Sequence, residues 1–279
     1  MEEYYFLFGL GLVWIVFATI QDLRKREVAN WLNFSLISFG ISFKLFYSLW
    51  TGNWDIVFFG VLGLVSFILL GYAFYYGRVF AGGDAKLLMG IGAILPYRNY
   101  FDLLYLSGGF LVLLFLAGAV YTLIYSGFIA VGNKKRYVKE LKKNIFEGKW
   151  LFLISVLLIL FIESITRSIV VLLGFVFLLM LYFHVKAVDA CMIKLYGSQD
   201  LCEGDWLAMD VKLKKGFVRR SVHGLSLKEI DKIRKEGKRV WIKEGIPFVP
   251  AFLIAFLVRE YVLTVLQLDL MTAILSLLR

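Results

Sequence analysis

The feature that most limits what this 279-residue chain can fold into is a series of long apolar stretches separated by short segments rich in Lys and Arg. About 20 apolar residues, as a helix, cross the roughly 30 Å hydrocarbon layer of a bilayer. Lipid offers no partner to backbone N–H and C=O groups, so such runs must be helical; a barrel strand would alternate apolar and polar residues. Composition agrees. Of the residues 60% are hydrophobic and 17% aromatic, and the mean hydropathy is +0.77, more than a soluble surface carries. The expected fold class is an all-α polytopic membrane protein of about eight transmembrane helices, with a small cytoplasmic α+β module before the last helix.

The 31 Lys and Arg against 21 Asp and Glu lie mostly between the apolar runs. That is the positive-inside pattern; it reports topology and calls for a lipid bilayer, not nucleic acid, as partner. Residues 4–20 follow Glu2 and Glu3 and precede Arg24-Lys25-Arg26, the reverse of a cleavable signal peptide. A retained first span is expected, in the plasma membrane, with the N-terminus outside. Further spans follow at residues 31–50, 56–76, 85–96 and 103–129, with QDLRKREVAN and YGRVFAGGDAK inside and TGNWD and PYRNYFD outside. Next comes NKKRYVKELKKNIFEGK, with seven basic and two acidic residues, expected as a basic cytoplasmic loop.

Two apolar runs, 150–162 and 169–185, flank ESITRS. Read as a hairpin in preference to one bent helix, they return the chain to the cytoplasm, where the basic segment 188–245 belongs. In that segment SLKEIDKIRKEG has the marks of a capped helix, with Ser226 as N-cap, Glu229 three residues on and Gly237 as the stop. Pro247 opens a last span, and LDLMTAILSLLR reads as its continuation or as a further short or interfacial helix. Four regions result: a membrane core over 1–129, a basic loop plus membrane hairpin over 130–187, the cytoplasmic module over 188–245, and a C-terminal membrane part over 246–279. Cys191 and Cys202, with ten residues between them, suggest neither a disulfide framework nor a zinc pair. His184 and His223 lack ligand spacing, so no metal or other cofactor is expected.

Two carboxylates stand out, because the topology puts both at cytoplasmic ends of spans: Asp22 closes the first and Asp84 opens the fourth. Singly, Asp22 reads as a helix-end charge and Asp84 as an N-cap. Together they suggest a dyad. Two nearby aspartates cannot both ionise easily, so the pair shares one proton, one member acting as base toward water and the other as acid toward a scissile carbonyl. No metal or covalent nucleophile is then needed. Gly82 and Gly83 leave room for another chain segment against Asp84. A helix N-terminus favours an ionised Asp84, and a helix C-terminus a neutral Asp22.

At these residues the chain resembles the type IV prepilin peptidases, including the archaeal preflagellin peptidases, membrane aspartyl proteases of the GxGD type. DLRKREVANWLN, residues 22–33, is similar to the family's first aspartate motif, carried here by Asp22, Arg24, Arg26, Val28 and Asn30. GGDAKLLMGIGA, residues 82–93, is similar to the second. Ala81 replaces the first glycine of GxGD, and the paired CxxC of bacterial members is missing, as in the archaeal branch. EGDWLAMDV and GIPFVPAFLIAF resemble the C-terminal part of archaeal members.

The resemblance implies a catalytic pair, Asp22 and Asp84, that removes a short basic leader from pilin-like or archaellin-like precursors at the cytoplasmic face. Lys86 would balance charge or contact a substrate carbonyl, or else snorkel. Arg24 and Arg26 set topology more than they build the site, and would repel a basic leader, leaving Glu27, Asp205 or Asp210 to recognise it. Asn30 and Asn33 bond across helices near Asp22, or Asn30 caps the second span. Arg259 and Glu260, deeper in the last span, pair or snorkel. The rival is a proton- or cation-coupled transporter, against which both acids lie at one face and not near the midplane. A non-catalytic assembly factor on a protease scaffold is a third reading.

Overall fold

The computed structural model describes residues 2–166, 168–214, 216–221 and 224–264. The chain divides into two compact units, Met1–Thr122 with Ile246–Arg279, and Leu123–Gly245.

The first unit holds α1 (Glu2–Lys25), α2 (Asn30–Thr51), α3 (Asp55–Tyr76), α4 (Gly82–Ile94), most of α5 (Tyr100–Gly132) and α10 (Val249–Thr264). Its centre is α4. With 13 residues it is about 20 Å long, short of a full crossing, and Leu87, Leu88 and residues 90–94 are buried against its neighbours. Glycines set the approach of α3. A Cβ on Gly92 would lie 2.4 Å from Phe67 Cβ and 2.9 Å from Gly63 O, so any side chain there forces the helices apart. Small residues are how helices attract in lipid, where burial of apolar surface gives no driving force.

Along α2, Asn33, Leu36, Gly40 and Lys44 are buried at helical spacing, and each meets α4 or its ends. Leu36 packs on Gly90, and Gly40 on Ile94. Lys44, fully buried, donates from Nζ to Leu95 O at 2.7 Å, placing a cation at the carbonyl end of α4 where the helix dipole favours it. Its stem fits because residue 60 is glycine: a Cβ there would sit 2.5 Å from Lys44 Cδ.

Helix α10 runs antiparallel to α1. The Tyr4 hydroxyl donates to Glu260 near one end, and Asp22 meets Val249 at the other. Arg259 is 2% exposed and lies 4.0 Å from the Glu260 carboxylate; it pairs and does not snorkel. Outward faces carry exposed apolar side chains such as Phe6, Phe17, Phe39 and Leu69, with Trp31 near one end and Trp50, Trp54 and Tyr100 near the other. This is the surface a bilayer requires. Among the described residues, Tyr4–Lys25, Asn30–Thr51, Asp55–Tyr76, Tyr100–Gly132 and Leu172–Cys191 are long and apolar enough to cross, as in a multi-pass membrane protein. The expected count of about eight also took in residues 85–96, 150–162 and the span from Pro247. The first of these is the short, protein-wrapped α4; LDLMTAILSLLR lies outside the described residues, as does His223.

The second unit takes the end of α5, then α6 (Lys134–Glu147), α7 (Lys149–Thr166) and α8 (Ile169–Cys191). The segment expected as a basic loop is thus helical. Its good helix formers allow this, and Tyr137, Glu140, Leu141 and Asn144 line up as one half-buried face. Helices α7 and α8 form a hairpin, since the Phe152 ring early in α7 lies 6.2 Å, centre to centre, from the Phe183 ring late in α8. The remainder is an α+β module of β1 (Ile193–Tyr196), β2 (Trp206–Leu207), β3 (Val211–Leu213), β4 (Gly216–Val218), α9 (Leu227–Lys235) and β5 (Val240–Lys243). Its antiparallel sheet has the order β1-β5-β2, beside a β3–β4 hairpin, over a core that includes Leu207, Ile230, Ile233 and Ile242. Ser226 caps α9, and Glu229 accepts the Ser226 N–H at 2.9 Å.

Candidate active site

Asp22 lies in the last turns of α1 and is 6% exposed. Its Oδ2 accepts the Val249 N–H at 2.9 Å, and the Phe248 N–H also points to it. A helix start leaves its first N–H groups without internal partners; at α10 a carboxylate from the other end of the sequence takes them. Asp22 therefore faces a helix N-terminus as well as the C-terminal end of its own helix. The premise that dipoles divide the pair into an ionised Asp84 and a neutral Asp22 does not hold in this geometry.

Asp84 is the third residue of α4, not its N-cap. Ala81 occupies the N-cap position with extended backbone, φ −70° and ψ 164°, and Asp84 Oδ2 reaches back to accept the Ala81 N–H at 3.3 Å. This is the acidic half of a capping box, and Ala81 has no side-chain oxygen to supply the other half. The helix begins before residue 85 because Gly82 and Gly83 take helical backbone within it. Asp22 and Asp84, on separate helices at the same end of the unit, are close enough for their charges to act on one another.

The neighbouring polar residues tie α2 to α4. Lys86 Nζ donates to Asn30 Oδ1 at 2.6 Å. Asn30 does not cap α2; Ala29 holds that position, and its N–H donates to Gln21 Oε1 at 3.0 Å. Asn33 Nδ2 donates to Gly83 O at 3.5 Å. Arg24 is exposed. Arg26 takes the left-handed conformation, φ 56°, as the chain leaves α1, with its N–H on Asp22 O at 2.7 Å. The resting fold does not demand glycine at 82 or 83. A Cβ at Gly82 would lie 3.7 Å from the Tyr75 ring, and one at Gly83 would lie 3.5 Å from Val28, both ordinary contacts.

Three features escaped the sequence reading. The capping of α10 by Asp22 joins residues 227 apart, which no local pattern signals. Lys44 is a lone lysine within the apolar run 31–50, and nothing local to it names Leu95 as its partner. His184 bridges Ser126 Oγ at 2.9 Å and Tyr137 Oη at 2.8 Å within the second unit, a structural link between α5, α6 and α8. Asp205 and Asp210 hold loops, accepting the N–H groups of Cys202 and Arg220, each at 2.8 Å. Among the described residues no three His, Cys, Asp or Glu gather as metal ligands would.

Residues 9–130, which carry both aspartates, match the type IV leader peptidase family. A preflagellin peptidase of Methanococcus maripaludis is 31% identical over 87 residues, 31% of this chain and 37% of that protein. One from Methanococcus voltae is 29% identical over 89 residues, 32% and 38% of the two chains. One from Methanocaldococcus jannaschii is 30% identical over 92 residues, 33% and 39%. The alignments thus span under half the length of these relatives. The likeness to the type IV leader peptidase family thus lies in residues 9–130, over the helices that hold Asp22 and Asp84.

Proposed function

We propose that the chain is a membrane aspartyl endopeptidase that removes the leader from archaellin-like or pilin-like precursors, with Asp22 and Asp84 as its catalytic pair. The observation that supports the reading is that these two carboxylates, from α1 and α4, lie at one end of the unit near enough for their charges to interact, within the stretch matched to the leader peptidases. One carboxylate takes a proton from water as it attacks the scissile carbonyl, and the other donates to the carbonyl oxygen. The resulting tetrahedral species collapses with a proton passed to the leaving nitrogen. The N–H groups of Val249 and Ala81 orient the two carboxylates before substrate arrives. Lys86 and Asn30 fix the start of α4 against α2, with Gly82 and Gly83 beside Asp84.

The relatives bear the name preflagellin peptidase, which supports a preflagellin-type precursor as substrate. The charge pattern supports a plasma-membrane protein with its N-terminus outside and its site facing the cytoplasm. The family match favours proteolysis over proton- or cation-coupled transport. The test incubates the detergent-solubilised full chain with archaellin-type and pilin-type precursors and weighs the products. A single cut between leader and hydrophobic segment is expected of at least one precursor. If every precursor stays intact, the reading is overturned.

A further inference from the structure

Asn33 is fully buried on the face of α2 that meets α4, and its amide is only half used. Nδ2 donates to Gly83 O, the carbonyl immediately before Asp84, while Oδ1 has no hydrogen-bond partner among the described residues. An unpaired buried acceptor is costly, and a fold alone has no reason to keep one where an apolar side chain of similar size would fit. The other polar groups that hold the start of α4 are paired: Lys86 with Asn30, and Asp84 with Ala81.

We infer that Asn33 Oδ1 is a substrate-binding group, the acceptor for a main-chain N–H of the precursor next to its scissile bond. This rests on the leader-peptidase reading and deepens it. A peptide to be cleaved beside Asp84 must bring its backbone N–H groups out of water, and each needs an acceptor there. Burial against α4 and the contact with the Gly83 carbonyl at 3.5 Å hold Asn33, so its remaining acceptor stands near the residue preceding the carboxylate. The linker between α1 and α2 runs beside Gly83. Val28 lies against Gly83, and the linker begins at Arg26 in a left-handed conformation that is unfavourable for a side chain with a Cβ. Entry of the peptide displaces Val28 and exchanges an orphaned acceptor for a paired one. Binding energy is thereby spent at the reacting centre, not on the resting protein.

The test is a cycle between side chain and substrate backbone, using the full-length solubilised protein. Wild type, Asn33→Leu and Asn33→Ser are assayed on a precursor peptide and on analogues in which one amide N–H near the cut is replaced by an ester oxygen. For wild type, one ester position is expected to lower kcat/KM by about tenfold. For Asn33→Leu the amide peptide is cleaved about tenfold more slowly than by wild type, and the same ester position has no further effect. Thermal stability of Asn33→Leu should equal or exceed that of wild type, because the orphaned acceptor is gone; a residue kept for the fold would show the opposite. If Asn33→Leu does not fold, Asn33→Ser gives the same cycle. Equal activity of the variants and wild type, or ester effects that are the same in all three proteins, overturns the inference while leaving the peptidase reading standing. A wild type that cleaves no precursor overturns both.

Discussion

Asp22 accepts the Val249 N–H at 2.9 Å, so the carboxylate that ends α1 is also the cap on which α10 starts. One side chain thus has two jobs, and a choice of substitutions can separate them. In Asp22→Asn the amide oxygen still accepts from Val249, and stability is expected to stay near wild type while cleavage is lost. Asp22→Ala removes the cap as well and is expected to cost about 1 kcal/mol of stability. Thermal unfolding of the two variants, side by side with the cleavage assay, checks this.

The glycines give a second separation. A Cβ at Gly83 meets Val28 at an ordinary distance, so Gly83→Ala is expected to fold at least as stably as wild type, with a gain of up to about 1 kcal/mol from the less flexible unfolded chain. Activity should fall if the space beside Asp84 serves the substrate. Gly92→Ala should do the reverse of Gly83→Ala in stability: its Cβ would be 2.4 Å from Phe67 Cβ, and loss of stability of about 1–3 kcal/mol is expected.

Lys44 reaches the far end of the same helix. Lys44→Met keeps most of the packing but leaves the Leu95 carbonyl without the ammonium bonded to it at 2.7 Å. A loss of about 1–3 kcal/mol is expected, with a fall in kcat because the height of Asp84 depends on where α4 is held. Unfolding and steady-state kinetics measure the two effects.

In the α+β module, Glu229 is held below its ordinary value of 4.5 by the Ser226 backbone N–H and hydroxyl. A carboxyl depressed in the folded state contributes stability that is present above its unfolded pKa and lost as pH falls through the folded one. Amide protection of the first turn of α9 should therefore be constant near neutrality and drop only as the pH falls below the ordinary Glu229 value of 4.5. In Glu229→Gln, hydrogen exchange should lose that pH step.

What the sequence made legible followed from composition and local order. The apolar lengths gave α1, α2, α3, α5 and α8, and the span count put Asp22 and Asp84 at one end, where the structure also has them. The motif Ser226–Glu229 gave α9. What stayed hidden was the set of contacts between distant segments: Asp22 with Val249, Lys44 with Leu95 and Asn33 with Gly83. The start of α4 at Gly82, three residues before the expected span at 85, stayed hidden because glycines before an aspartate read as a loop, whereas Gly82 and Gly83 are the first two residues of the helix. That residues 134–147 form a helix also stayed hidden, because a dense run of charge masks the one face that Tyr137, Leu141 and Asn144 share.

The central claim is that Asp22 and Asp84 together cut a precursor. Its most direct test is single-turnover cleavage of an archaellin-type precursor by wild type, Asp22→Asn, Asp84→Asn and the double variant, each shown to be folded by thermal unfolding. Losses of at least about 100-fold for each single variant, with no further loss in the double, are expected of a pair that acts as a unit. Cleavage at the wild-type rate by either folded single variant would contradict the account.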